Sequence, residues 1–250
     1  MKLRYHQKTF ELLNQEARFS QEFHAKIESI KREKGIAIPS SVVEWYSLEN
    51  ATEILRQNSN DDHFLEVEDF GKPSYKNEDL LAERLLLFMI ENQGVCEWAI
   101  KLDNSDDPPV FAKDVDSKIW EFCAEKFSTF IWTLVFDWGR IRQNDSYFLC
   151  AQAEPITQND LSELQRNFQE EPRTHCFPGK INYRFSQQDK RILIWSNSDQ
   201  ADWNISTNSP QALYELAQGI WHLSNLKISL YDIDENGIGK SILNELRRES

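Results

Sequence analysis

Residues 88–111 read FMIENQGVCEWAIKLDNSDDPPVF, and this stretch decides the fold class. Phe88-Met89-Ile90 is a continuous apolar run. Asn92-Gln93-Gly94 has turn chemistry, with Gly94 free to take the positive φ that hairpin loops often demand. Val95 to Leu102 is apolar with charges at intervals, as a half-buried strand is. Asp106-Asp107-Pro108-Pro109 ends the ladder, because two successive prolines lack N–H donors and hold φ near one value. The expectation is two strands joined by a tight turn, then an acidic, proline-stopped loop. The stretch holds no nucleophile, phosphate cradle or metal cluster, and reads as a surface for holding something.

Outward from it, Phe10, Leu13, Ala17, Phe23, Ile27 and Ile30 recur at helical spacing, predicting one long helix from about Phe10 to Lys34 that Gly35 ends. Pro39-Ser40-Ser41 opens a second helix through Trp45 and Tyr46, and Ala51–Gln57 a short third. Phe64–Val67 is a short strand and Lys72–Asp79 a polar loop, while Leu80–Leu87 leads by a turn of helix into the strand around Phe88. Strands follow at Val110–Ala112 and Lys118–Ala124. Phe127, Phe130, Ile131, Leu134, Val135 and Trp138 then share one face of a helix.

A second unit begins at Ser146. It carries a strand at Tyr147–Ala153 and a helix that Thr157 and Asp160 start with capping-box spacing. Strands at Ile181–Phe185, Arg191–Trp195 and Asp202–Ser206 come next, then a helix from Ser209-Pro210. A last strand, Leu226–Tyr231, precedes a helix at Ile238–Arg248. The domains expected are therefore 1–145 and 146–250, and the fold class α+β: a central, mostly antiparallel sheet with flanking helices, plus a C-terminal α+β unit.

The chain of 250 residues has a net charge of −13 that is unevenly placed. Residues 1–43 hold 8 Lys/Arg against 5 Asp/Glu, and residues 44–125 hold 7 against 20. Residues 126–145 hold 3 against 2, and residues 146–250 hold 10 against 14. The middle segment thus equals the whole excess. Such a field repels nucleic acid and anionic lipid and attracts basic partners; the plainer alternative is that it only keeps the chain soluble. No apolar run approaches the ~20 residues of a membrane span, and Met1–Gln7 lacks the apolar core of a secretory signal. The 4 cysteines lie far apart, without metal-ligand spacing. A reduced, cytoplasmic chain is expected.

Patterns that could carry chemistry mostly fail on inspection. Asp232, Asp234, Asn236 and Gly237 match the opening of a calcium loop, but the twelfth position is Leu243 and the bidentate carboxylate is missing. His175 beside Cys176 would face the opposite way on an extended chain. Asp106 and Asp107 lack a histidine or apolar pocket nearby in sequence. No P-loop, GxGxxG or GxSxG occurs. No catalytic, metal or cofactor residue is assigned, and no cofactor is expected.

Two stretches carry a family signal. Ile36-Ala37-Ile38-Pro39-Ser40-Ser41-Val42-Val43-Glu44-Trp45-Tyr46 resembles the opening of the SUKH superfamily: a short apolar strand, a proline, then a helix with an aromatic pair. Phe88, Glu91-Asn92-Gln93-Gly94-Val95, Trp98 and Asp107-Pro108-Pro109-Val110 resemble the central hairpin of its bacterial members, and Phe127-Ser128-Thr129-Phe130 its closing helix. The resemblance covers roughly residues 20–140; the long N-terminal helix departs from it, and residues 146–250 stay unassigned. The superfamily includes fungal cell-wall-assembly regulators and bacterial immunity proteins that neutralise polymorphic toxins, often nucleases. It implies a non-catalytic protein-binding module whose partner is a basic toxin domain, with no nucleic acid or membrane bound. The contact candidates are Trp45, Tyr46, Glu66, Glu68, Asp69, Trp98, Asp103, Asp106, Asp107, Asp114 and Asp116. An interaction scaffold without a toxin stays open as a second class, and an enzyme with a site assembled from distant residues as a third.

Overall fold

The computed structural model describes residues 3–70, 80–139, 146–233 and 237–249. The polar loop expected at Lys72–Asp79 lies outside them. The fold is α+β, with one antiparallel sheet of five strands and another of six. The chain divides into two compact units, Met1–Arg142 and Gln143–Ser250.

The first unit runs α1 (Gln7–Leu13), α2 (Gln21–Lys34), α3 (Ser40–Tyr46), α4 (Ala51–Gln57), β1 (His63–Phe64), a 3-10 turn (Val67–Asp69), β2 (Leu85–Ile90), β3 (Cys96–Lys101), β4 (Val110–Asp114), β5 (Glu121–Ala124) and α5 (Phe127–Trp138). Its sheet is a meander in chain order, β1-β2-β3-β4-β5. The β2–β3 turn takes the expected form: Gly94 has φ of 72°, and its N–H donates to the Glu91 carbonyl at 2.8 Å. The Glu91 carboxylate completes that turn by accepting from Gln93 N–H at 2.7 Å.

Register places Trp98 between Met89 and Ala112, on the face that α5 covers. The ring of Phe88 meets Phe127 and Phe130 edge-on at 5.3 and 5.6 Å, and Trp98 lies 6.2 Å from Phe130. Edge-to-face pairs of this kind add about 0.5–1.5 kcal/mol each beyond area burial. α1, α3 and α4 pack against α5, so the aromatic stripe of α5 is the common floor for sheet and helices.

Five expectations for this unit are corrected, the first being the strand over Lys118–Ala124, which begins only at Glu121 because 115–119 form the turn of the β4–β5 hairpin. The single N-terminal helix is two: Asn14 adopts the left-handed conformation and stops α1, and Ser20 restarts the helix by accepting from Phe23 N–H at 3.2 Å. Between them Ser20 N–H donates to the Ser47 carbonyl and Glu49 N–H to the Arg18 carbonyl, long-range bonds that outcompete helical continuity. The 95–102 strand is not half-buried. Cys96 to Ile100 are all buried while Val95 is exposed, because Glu97 pairs at 3.2 Å with Lys113 directly across the ladder. The strand expected over Phe64–Val67 covers only His63–Phe64 and gives way to the 3-10 turn. Leu85 to Leu87 already belong to β2, after a turn over 81–84.

The second unit runs β6 (Tyr147–Ala153), α6 (Gln158–Asn167), β7 (Gln169–His175), β8 (Ile181–Gln187), β9 (Lys190–Ser196), β10 (Ala201–Thr207), α7 (Pro210–Ile220), α8 (Leu226–Ser229), β11 (Leu230–Tyr231) and α9 (Ile238–Glu249). Its sheet order is β11-β6-β10-β9-β8-β7. Leu149, Ala151, Trp203, Ile205, Ile192, Ile194 and Phe185 line one sheet face at alternate positions and meet Leu161, Leu164, Leu213, Leu216, Ile242 and Leu246 of the helices. Thr157 and Asp160 form the capping box, and Ser209 caps α7 through Ala212 N–H. β7 (QEEPRTH) has no apolar alternation and went unpredicted. It is an edge strand, where the missing N–H of Pro172 is tolerated and the register slips between Glu171 and Thr174. The strand expected over Leu226–Tyr231 is instead a short helix ending in a two-residue strand.

Replacing Phe88 by Ala leaves a cavity under α5. Urea denaturation is expected to show a loss of about 3–5 kcal/mol with an unchanged m-value.

Candidate functional site

The contact candidates lie in the first unit, and the structure sorts them by what their side chains already do. Trp45 and Trp98 are 0% and 4% exposed. This corrects their place among the contact residues, since both are core. Trp45 stacks at a tilt on His6, 4.8 Å away. Tyr46 is buried except where it lines a groove, and its hydroxyl donates to the Leu65 carbonyl at 3.0 Å. Burial drives its phenol pKa far above the ordinary value, so it stays neutral.

Asp106 and Asp107 are mainly scaffold. Helix α5 has no side-chain cap of its own at Lys126. Asp107 supplies one from across the sheet: its carboxylate accepts from Ser128 N–H at 3.0 Å and from Ser128 Oγ at 2.6 Å. The Pro108 carbonyl accepts from Phe127 N–H at 2.8 Å. One residue earlier, the Asp106 carbonyl accepts from Ser41 N–H at 2.8 Å, in the first turn of α3, and the Asp106 carboxylate accepts from Ser40 Oγ at 2.7 Å. The acidic, proline-stopped loop thus satisfies the starts of two helices. Asp106 remains exposed and 3.6 Å from Arg4, a distance worth little at the surface.

Several polar residues at this junction escaped the sequence reading. Glu44, buried on α3, accepts from the backbone N–H groups of Arg4, Tyr5 and His6 at 2.7, 2.8 and 3.0 Å. His6 is fully buried and its Nε2 lies 2.9 Å from the Ser41 carbonyl. That nitrogen must therefore carry the proton, because a carbonyl only accepts. Burial lowers the His6 pKa, which keeps the ring neutral. Asp62 is buried against the hairpin turn, where it accepts from Asn92 N–H at 3.2 Å. Desolvation, reinforced by nearby Glu91, raises its pKa to about 6. No local pattern marks Glu44 or Asp62, since their partners lie 38–40 and 30 residues away.

The remaining carboxylates face solvent in two groups. Asp114 and Asp116 are exposed on the β4–β5 hairpin beside Ile119, 69% exposed, and Phe122, 41% exposed. Behind them Lys113 lies 4.9 Å over the Trp120 ring and Lys101 lies 5.6 Å over the Phe111 ring. Glu66 and Glu68, with Tyr46, line a groove of about 280 Å³ between α2, α4 and the 3-10 turn. Glu68 is ion-paired with Lys26, which holds its carboxyl below the usual range. Asp69 is half-buried on the same turn. Asp103 is exposed and accepts from Ser105 N–H at 3.0 Å. The candidates therefore form two separate surfaces and one scaffold loop.

Among the described residues no group of three or more His, Cys, Asp or Glu could hold a metal ion. Asp234 and Asn236 of the calcium-like stretch lie outside them. Asp232, which is described, accepts from Lys240 N–H at 2.8 Å in the first turn of α9. Among the described residues no helix is long and apolar enough to cross a membrane. Compared with known proteins, the chain matches no family model, no curated protein and no solved structure.

Asp107→Ala is expected to destabilise the chain by about 1–2 kcal/mol in urea, as a lost helix cap does, with Asp107→Asn recovering part of that. Asp62 gives a pH signature. Its carboxyl holds a proton to about pH 6 when folded and to about 3.8 when unfolded. Folding therefore takes up a proton in that window, and the group's stabilising contribution is lost as pH rises through it. Asp62→Asn keeps the acceptor for Asn92 and removes the buried charge. It is expected to be more stable than the parent by about 1–2 kcal/mol at pH 7, with the difference vanishing below pH 4 in urea titrations.

Proposed function

We propose that the chain is a non-catalytic protein-binding module, an immunity protein of SUKH type that neutralises a basic bacterial toxin domain, such as a nuclease, by direct binding. The observation that carries this reading is the β4–β5 hairpin. Ile119 and Phe122 are exposed there beside the carboxylates Asp114, Asp116 and Glu121, within the segment that equals the whole net charge. An apolar centre with a charged rim is the anatomy of a protein-binding surface. A mostly acidic rim, on which Lys118 is the one exposed cation among residues 114–122, speeds encounter with a partner of opposite charge and sets orientation, while the apolar centre holds the complex. Neutralisation then needs no chemistry, because a tight complex covers the toxin's working surface by mass action. The two motif stretches quoted above support the family reading, since both lie in this unit.

The test is to look for a toxin-encoding frame immediately upstream of the gene and, with such a domain in hand, to co-express the two. The chain is expected to restore growth and to co-purify, and the association rate to fall steeply between 50 and 500 mM salt. Ile119→Asp combined with Asp114→Lys is expected to weaken the complex by about a hundredfold with an unchanged melting temperature. Absence of rescue and of co-purification by the parent chain would falsify the reading.

A further inference from the structure

Two buried carboxylates hold the turn at Glu91–Gly94, and no cation is set against them. Asp62 is 8% exposed and Glu91 5%. From the loop between α4 and β1, Asp62 accepts from Asn92 N–H at 3.2 Å, while Glu91 accepts from Gln93 N–H at 2.7 Å within the turn itself. Among the described residues neither carboxylate is ion-paired with a Lys, Arg or His. The titratable groups that face Asp62 are Glu91 across the contact and the exposed Asp61 on its own loop. Both are acids. His63, next in the chain, is exposed. The Asn92 side-chain amide also donates to the Asn60 carbonyl, and inside the loop Asp62 N–H donates to Ser59 Oγ at 3.3 Å. The bonds to Asn92 thus join the loop to the turn. At the following residue β1 begins and pairs His63 with Ile90, which supplies a hinge.

We propose that the α4–β1 loop, residues 58–62, is a proton-controlled latch on the β2–β3 turn, closed while Asp62 carries a proton and released as it ionises. Protonated, the carboxyl keeps a carbonyl oxygen for Asn92 N–H and adds no charge beside Glu91. Ionised, it becomes a second negative charge in a buried place without a cation. Desolvation is the largest effect and favours swinging Asp62 out into water; the Asn92 bond opposes this, and Glu91 and Asp61 add to it. The carboxyl holds its proton to about pH 6 when closed and to about 3.8 in water. The closing free energy is therefore fully present below pH 3.8 and is lost as pH rises through 6. Between pH 4 and pH 7 the opening constant rises by roughly fiftyfold. This goes beyond the effect of Asp62 on overall stability, because the opening is local: the β2–β3 ladder behind the turn stays paired. It holds whatever the chain binds.

The experiment is amide hydrogen exchange of the full chain, followed by NMR from pH 4 to pH 7 and corrected for the intrinsic rate at each pH. Asn92 N–H is expected to lose protection by roughly fiftyfold over that range. At pH 7 it is expected to exchange at least about a hundredfold faster than Ala99 N–H of the central strand β3. Asp62→Asn keeps an acceptor for Asn92 and removes the titration, so the loss of protection is expected to shrink to less than about twofold. A direct reading needs no variant: the carboxyl carbon signal of Asp62 in the parent chain is expected to titrate near pH 6. Three results would each overturn the latch. They are Asn92 protection equal to that of Ala99, an equal pH dependence in Asp62→Asn, and an Asp62 carboxyl that titrates below about pH 4.5.

Discussion

The first unit depends on carboxylates that reach helix starts from far along the chain. α1, α3 and α5 all lack a side-chain cap of their own. Glu44 gathers the N–H groups entering α1, Asp106 offers its carbonyl to α3, and Asp107 holds the first turn of α5. A helix N-terminus is a region of partial positive charge with unsatisfied donors. These starts are brought together over the aromatic floor of α5. Buried without acceptors they would oppose the fold; supplied by Glu44 and the Asp106–Pro109 loop they lock it. The double proline contributes by fixing the loop's φ angles, which limits the directions its acceptors can take.

This changes what the acidity of the middle segment means. Of its 20 Asp/Glu, Glu44, Asp62, Glu91 and Glu97 are buried, and Asp107 is committed to α5. Those groups bear on stability, Asp62 also on its pH response, and offer nothing to a partner. Among the described residues, Asp114, Asp116 and Glu121 stand exposed on the β4–β5 hairpin together with Ile119 and Phe122. There apolar side chains stand among the charges, and that combination, more than net charge alone, is why we read it as a binding surface.

How much of this was legible follows from where each element finds its partners. The Glu91–Gly94 turn, the Thr157/Asp160 box and the Ser209 cap are local, and a few adjacent residues specify them. The α5 stripe and the strands of the second unit announce themselves by period. The break at Asn14–Ser20 did not, because it is paid for by bonds from Ser20 and Glu49 to residues about 30 positions away. β7 was hidden by its edge position, which removes the need for apolar alternation. Among the site residues, the exposure of Asp114 and Asp116 agreed with their acidic surroundings. Trp45 and Trp98 could not be placed, since an aromatic in a helix or strand has the same local sequence whether it anchors a core or an interface. Glu44 sits between Val43 and Trp45 and was invisible for the opposite reason: its burial is dictated by amides at residues 4–6.

The division of the acidic segment into internal ties and free surface is the claim on which the functional reading stands. Carbodiimide labelling of carboxylates in the native chain, read residue by residue by mass spectrometry, addresses it without any partner. Glu66, Asp114, Asp116 and Glu121 are predicted to label at the rate of free side chains, Asp107 slowly, and Glu44, Glu91 and Glu97 only on unfolding. Labelling of Glu44 and Glu97 at surface rates, or protection of Glu66, Asp114 and Asp116 in the isolated chain, would contradict it.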